Sequence, residues 1–315
     1  MKVALCQMNI AYEDKKTNIA RAEEFIKQAA EQGANIIIFP EMSMTGFSML
    51  TDYTSESKTR TVTLNKFKIF ASKYKIHIGL GWVAGKIEED VVNVISTVLR
   101  SKEGDDLSSL DSKDVRLAEN HYTIIDENGD VKADYVKIHP FSFMQEDQHF
   151  VCGDEVVQYE IDGVPCSNFI CYDLRFPEVF QAVADEARVI FVPACWPAPR
   201  INQWKMLLAS RAIENQCYVI GVNCVGNQDG VLYTGESRIL NPYGEVIARL
   251  GNGECLFVTD IPDDVEEIRS KFPVRHDRRY DLYAELMSRR GSKRYVQELN
   301  AEENEKQALA KKYSL

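Results

Sequence analysis

Residues 35–41 read Asn35-Ile36-Ile37-Ile38-Phe39-Pro40-Glu41. Three β-branched residues and a Phe in succession leave the chain no polar side. The segment therefore predicts a short strand covered on both faces, as in a sheet with helices packed against it. Its flanks agree. Lys2–Met8 predicts a first strand. Thr17–Gln32 places Ile19, Ala22, Phe25, Ile26, Ala29 and Ala30 at helical spacing, with Thr17 or Asn18 to cap the start and Gly33 to end it. Downstream, Leu64–Tyr74 predicts a helix and residues 76–82, IHIGLGW, a strand.

The alternation continues. His121–Asp126 and Val131–Val136 predict strands about a Glu127-Asn128-Gly129 turn. Val164–Ile170 and Val189–Pro193 predict strands separated by a helix at Pro177–Ala187. Asn202–Asn215 predicts a helix with Met206, Leu207, Ala209 and Ile213 on its apolar side. Tyr218–Asn223, a hairpin of Ile239–Leu240 and Val246–Arg249, and Glu254–Asp260 predict the remaining strands, and Pro262–Ser270 a helix opening on Pro. This order is that of a layered α/β protein. Periodicity does not separate two sheets back to back, with helices outside, from one wide sheet. The polar stretch at about 86–118 predicts an exposed surface loop. With no internal repeat and no Pro/Gly linker, one domain is expected over 1–283, followed by a charged helical tail at 284–315.

Composition limits the partners. The 315 residues are 45% hydrophobic and 27% charged, ordinary for a globular chain, and 37 basic against 48 acidic residues give a net charge of −11. An acidic chain lacks the electrostatic footprint for phosphate backbones or anionic lipids, so neither nucleic acid nor membrane is an expected partner. The start, MKVALCQMNI, is too short in its apolar run for a signal peptide, and a cytoplasmic location is expected. Eight cysteines are scattered without CxxC spacing, which argues against a disulfide scaffold or a thiolate metal site and for small core residues.

Three polar residues end apolar strands: Glu41 after IIIFP, Lys137 after VKADYV and Cys171 after CSNFI. Ligand sites in α/β folds gather at the carboxyl ends of strands. A thiol needs a base to become a nucleophile, and a carboxylate supplies one. A tetrahedral intermediate carries charge on oxygen, which a fixed ammonium stabilises. Taken singly, each also reads as an ordinary strand end, surface charge or core thiol. His139, two residues after Lys137, is an alternative base for a thiol, in a pairing that would leave Glu41 and Lys137 without roles.

The segments IIIFPEMSMTGF, YVKIHPFSFMQEDQHFVCG and FICYDLRFPEVF, with ASRAIENQCYVIGVN and GESRILNPYGEV after them, resemble the nitrilase superfamily of carbon–nitrogen hydrolases in content and order. The resemblance runs from Lys2 to about Tyr283. It implies a four-layer αββα sandwich, a homodimer or higher homo-oligomer packed through helices next to the nucleophile, and no metal or cofactor. It implies Cys171 as nucleophile, Glu41 as general base, Lys137 and the backbone N–H of Tyr172 as oxyanion donors, and Glu146 as a further carboxylate orienting Lys137 and substrate. Tyr172-Asp173 after the nucleophile, where true nitrilases usually show Trp-Glu, points to amides or carbamoyl compounds rather than nitriles. CYDLRFPE, ACWPAPR and RAIENQ most resemble bacterial omega-amidases, whose substrates are omega-amides of dicarboxylates such as 2-oxoglutaramate. Alternatives are an N-carbamoyl amine or amino-acid amidohydrolase and a catalytically silent binding module, the latter disfavoured by the intact catalytic set. A distal substrate carboxylate calls for an arginine fork. Arg175 is the first candidate, with an ion pair to Asp173 or Glu178 as its structural alternative, and Arg200 is the second. Trp196 and Phe47 are expected as pocket walls or core.

Overall fold

The computed structural model describes residues 1–58, 60–85 and 117–289. In chain order its strands are β1 Lys2–Gln7, β2 Ile36–Ile38, β3 Glu56–Ser57, β4 His77–Gly85, β5 Ala118–Ile125, β6 Val131–Val136, β7 Gln158–Ile161, β8 Val164–Asn168, β9 Val189–Ala194, β10 Tyr218–Asn223, β11 Val225–Gln228, β12 Val231–Thr234, β13 Arg238–Leu240, β14 Val246–Arg249 and β15 Cys255–Asp260. The loop expected at 86–118 lies outside the described residues except for its last two positions, and Ala118 already belongs to β5.

The strands form two main sheets among the described residues. One runs β15-β1-β2-β4-β5-β6, with β3 beside β4, and the other β14-β13-β10-β9-β8-β7. Each has a parallel centre, β1-β2-β4 and β8-β9-β10, extended by antiparallel neighbours. Helices Lys15–Glu31 and Val62–Tyr74 make the crossovers of the first centre, and Pro177–Val183 and Ile201–Asn215 those of the second. Parallel strands require such crossovers, which cover the sheet face.

Alternation along β1 separates the layers. Val3 and Leu5 join Ile190, Val192 and Val219 in the cluster between the sheets, while Ala4 and Cys6 pack with Ile26 and Phe67 of the covering helices. The result is the four-layer αββα sandwich. All eight cysteines are free, and six of them are buried.

Three local expectations need correction. The helix from Pro177 ends at Val183 and not at Ala187. Strands β3, β7, β11 and β12 are additional to the expected set. In helix Ile201–Asn215 the buried side is Trp204, Leu208, Arg211, Ala212 and Asn215, whereas Met206 is 71% and Ile213 54% exposed. The helix carries two apolar stripes, and the polar residues on the buried one reach carbonyls: Arg211 Nη2 donates to Leu174 O at 2.8 Å and Asn215 Nδ2 to Arg211 O at 2.9 Å.

The chain divides into a compact unit over Met1–Lys271 and a second beginning at Phe272, within which residues 280–289 are helical. The remainder of the expected tail lies outside the described residues. Among the described residues no helix is long and apolar enough to cross a membrane.

Candidate active site

Glu41 follows β2 through Phe39-Pro40, Lys137 follows β6 directly, Cys171 lies three residues past β8, and Cys195 follows β9 directly. The carboxyl ends of these strands thus meet at one place. The close fit begins under Glu41. A Cβ on Gly81 of β4 would stand 2.5 Å from Pro40 O and 2.6 Å from Met42 N, so only glycine lets the Glu41 turn pass over the strand. Met42 at φ 42° turns the chain there, and Ser43 N donates to Gly81 O at 3.1 Å.

Lys137 is fully buried between two fully buried carboxylates. Its Nζ donates to Glu41 Oε1 at 2.8 Å and to Glu146 at 3.0 Å (Oε1) and 2.8 Å (Oε2). Asn120 Nδ2 donates to Glu41 Oε1 at 2.9 Å and to Glu146 Oε1 at 3.1 Å. The Cys195 N–H donates to Glu41 Oε2 at 2.9 Å and the Phe141 N–H to Glu146 Oε2 at 2.5 Å. Buried charges persist only with such pairing.

Cys171 opens a 3-10 turn, Cys171–Arg175, with its own backbone left-handed at φ 47°. That conformation costs a non-glycine residue about 1–2 kcal/mol, and Asp173 holds it. Asp173 Oδ2 accepts from Ile170 N at 3.0 Å and from the Tyr135 hydroxyl at 2.8 Å. Its Oδ1 accepts from His139 N at 2.9 Å and lies 2.8 Å from His139 Nδ1. One carboxylate therefore ties the nucleophile turn to the segment after Lys137. His139 is engaged by Asp173 and stacks on Phe176 at 3.8 Å, so the alternative of a Cys–His pair finds its histidine bound elsewhere. The Tyr172 N–H stands in the first turn, where the turn itself offers it no acceptor.

The electrostatics assign protons. Burial, reinforced by the Glu41 charge, pushes the Cys171 thiol well above its usual range despite Lys137, and the thiol points to Cys195 O at 3.8 Å, the residue whose N–H holds Glu41. Burial thus favours the protonated sulfur at rest. Burial opposes the charge on Lys137, but Glu146 and Glu41 outweigh it and hold the ammonium well above the usual lysine range. Burial raises Glu146 more than Lys137 lowers it.

Above this floor opens a narrow pocket. Lys137, Cys171, Tyr172 and Cys195 reach it from below, and Phe47, Phe141, Trp196 and Tyr233 wall it. Two arginines complete the wall. Arg175 lies over the Trp196 ring at 4.9 Å and donates to Gln203 Oε1 at 2.6 Å. Arg200 lies over Phe143 at 4.8 Å and Phe141 at 5.4 Å. Among the described residues neither pairs with a carboxylate, so the ion pair considered for Arg175 with Asp173 or Glu178 does not form. Among the described residues no group of three or more His, Cys, Asp or Glu could hold a metal ion.

The carbon-nitrogen hydrolase family model matches residues 2–270. The chain belongs to the carbon-nitrogen hydrolase family. This hydrolase is 33% identical over 284 residues to 2-oxoglutaramate amidase of Bacillus subtilis (strain 168), covering 89% of this chain and 98% of that protein. It is 29% identical over 283 residues to omega-amidase YafV of Escherichia coli (strain B / BL21-DE3), covering 88% and 96%. A CN-hydrolase superfamily protein from Xanthomonas campestris, solved with an arsenic adduct in its active site, shares the fold with a TM-score of 0.75 at 23% identity, covering 89% of this chain and 97% of that one.

The hydrolase brings Glu41, Lys137, Glu146 and Cys171 into one cluster, and Tyr172, Arg175, Trp196 and Phe47 onto the pocket above it. Phe47 is part wall and part core, packing also beside Met44 and Tyr233. Sequence reasoning does not find Asn120, whose role exists only because β5 lies beside β4 and β6. It reads Cys195 as core, which it is, and misses that its backbone N–H holds Glu41.

Proposed function

We propose that this hydrolase is an omega-amidase-like enzyme, acting on a linear amide whose acyl chain ends in a carboxylate, such as 2-oxoglutaramate. The observation that carries it is the pairing of the Cys171 thiol, on one pocket floor with the Lys137 that binds Glu41, with two arginines on the pocket wall that pair with no carboxylate among the described residues. Glu41 takes the thiol proton as sulfur attacks the amide carbon. Lys137 Nζ and the Tyr172 N–H hold the developing oxyanion. Glu41 returns the proton to the departing nitrogen and ammonia leaves. The thioester on Cys171 is hydrolysed by water that Glu41 deprotonates, which releases the acid and restores the thiol. Glu146 keeps Lys137 charged and aimed.

The test is ammonia release from 2-oxoglutaramate, a carbamoyl amino acid and a nitrile, with Cys171→Ala as control. Ammonia from the first alone, abolished in the variant, supports the reading. Carbon dioxide released with ammonia from the carbamoyl compound would replace it with a carbamoyl hydrolase, and undiminished turnover in the variant would remove the nucleophile.

We also propose that two copies pair through helix Ile201–Asn215, next to the nucleophile turn. The exposed Met206 and Ile213 support this, with Tyr243 and Ile247 also exposed. A cytoplasmic location is supported by the free thiols, which suit a reducing compartment.

A further inference from the structure

Tyr233 lies on β12, in the hairpin it makes with β11. Its backbone bridges to Pro197, so the hairpin is clamped to the segment that carries Cys195 and Trp196. The residue is only 3% exposed and packs among Met8, Cys195 and Cys224. Buried phenols as a rule find a hydrogen-bond partner. Among the described residues the Tyr233 hydroxyl has none, and its oxygen is not sealed from solvent as that of Tyr159 is. In so buried a residue, the opening the oxygen meets is the hollow it lines.

Tyr233 lines two hollows. One is the catalytic pocket; the other is a wider vestibule that also touches Glu13 and Asp229. Only Phe47 and Met144 are shared in the same way. Tyr233 thus stands where the catalytic pocket opens outward. A reacting amide carbon must lie against Cys171, which does not border the vestibule, so an acyl chain held in the catalytic pocket shares its walls with Tyr233 as well as Arg175 and Arg200.

We infer that Tyr233 is a specificity-determining residue whose hydroxyl donates a hydrogen bond to an oxygen acceptor on the acyl chain, favouring amides of acids over plain aliphatic amides. The inference rests on the amidase reading and adds a neutral donor to the two arginines. A site built to hydrogen-bond a group rejects the analogue lacking it, because a buried polar partner is then left unpaired.

In the Cys171→Ala background, which holds an amide without turning it over, dissociation constants for succinamate and butyramide are measured with and without Tyr233→Phe. The preference for succinamate over butyramide is expected to fall at least about fivefold, the size of one net hydrogen bond. The melting temperature is expected to stay level or rise, because the hydroxyl satisfies nothing in the fold. A preference that moves less than about twofold overturns the assignment, as does a melting temperature lower by more than about 2 °C, the scale of a lost structural hydrogen bond in a unit of this size. Failure of the native enzyme to release ammonia from any amide would dismiss the amidase reading, while the binding comparison would still decide Tyr233.

Discussion

Asn120 and Glu41 are joined by one hydrogen bond, Nδ2 to Oε1 at 2.9 Å, onto the same oxygen that accepts from Lys137. Because that nitrogen also reaches Glu146, the amide spans both carboxylates. Asn120 thus fixes the two carboxylates relative to each other around Lys137.

Replacing Asn120 by Ala is expected to lower kcat about 100-fold, the scale of a misplacement near 1 Å, with KM changed far less. Asn120→Asp is expected to be worse, since it adds a third carboxylate to a buried pair. Steady-state ammonia release checks both, and a proportional change in KM would argue that Asn120 meets substrate instead.

Gly81→Ala is expected to reduce both stability and turnover. The new Cβ would meet backbone at 2.5 Å and 2.6 Å, where no flexible side chain can yield, and the turn that must shift carries Glu41. Overpacking of this kind costs about 1–3 kcal/mol. Urea unfolding with an activity assay on the same sample checks it; unchanged kcat in a folded variant would mean that the Glu41 turn is not set by β4.

Arg175→Lys is expected to raise KM for a dicarboxylate monoamide at least about tenfold, near 1.4 kcal/mol. Lysine keeps the charge but loses the planar fork and the stacking on Trp196. Arg200→Lys is the matched comparison, and the larger effect identifies the residue that takes the carboxylate. If neither variant alters KM, the carboxylate contact lies elsewhere.

Away from the pocket, His121 Nε2 lies 2.8 Å from Glu119 Oε2 and Nδ1 3.0 Å from Asp134 Oδ2. Burial opposes its charge, but Asp134 and Glu119 prevail and raise it above the usual histidine range. A raised folded value stabilises the fold fully below the unfolded value of about 6.5 and is lost as pH rises through the higher folded one. Glu119, whose charge burial opposes but His121 and Lys58 favour, is pulled down to about 2; its contribution is present above the ordinary glutamate value and lost as pH falls toward 2. Melting temperature should therefore decline above about pH 6.5 more steeply in the native chain than in His121→Gln. Parallel profiles would show that the histidine is not charged in the fold.

Local pattern was enough for much of this protein. β-Branched runs such as Ile36–Ile38 and the helical spacing of Ile19, Ala22 and Ile26 declare their elements through side-chain period alone. The segments around Glu41, Lys137 and Cys171 also point to a chemistry, through their joint resemblance in content and order to the nitrilase superfamily, since each residue alone has an ordinary reading. The Glu146 cluster partner was legible only through resemblance, since a carboxylate in a polar run reads as solvated until the fold closes over it.

What tertiary structure decided is everything that depends on which strands lie side by side and which stripe turns inward. Helix Ile201–Asn215 has one apolar stripe with Met206 and Ile213 and another with Trp204 and Leu208, and only packing against the second sheet selects the latter. The hold of Asn120, the Cys195 N–H and Asp173 on the reacting groups comes from residues up to 154 positions apart in the chain. Periodicity reports the neighbours of a residue along its own element. Contacts across elements are set by the sheet order, which no single segment encodes.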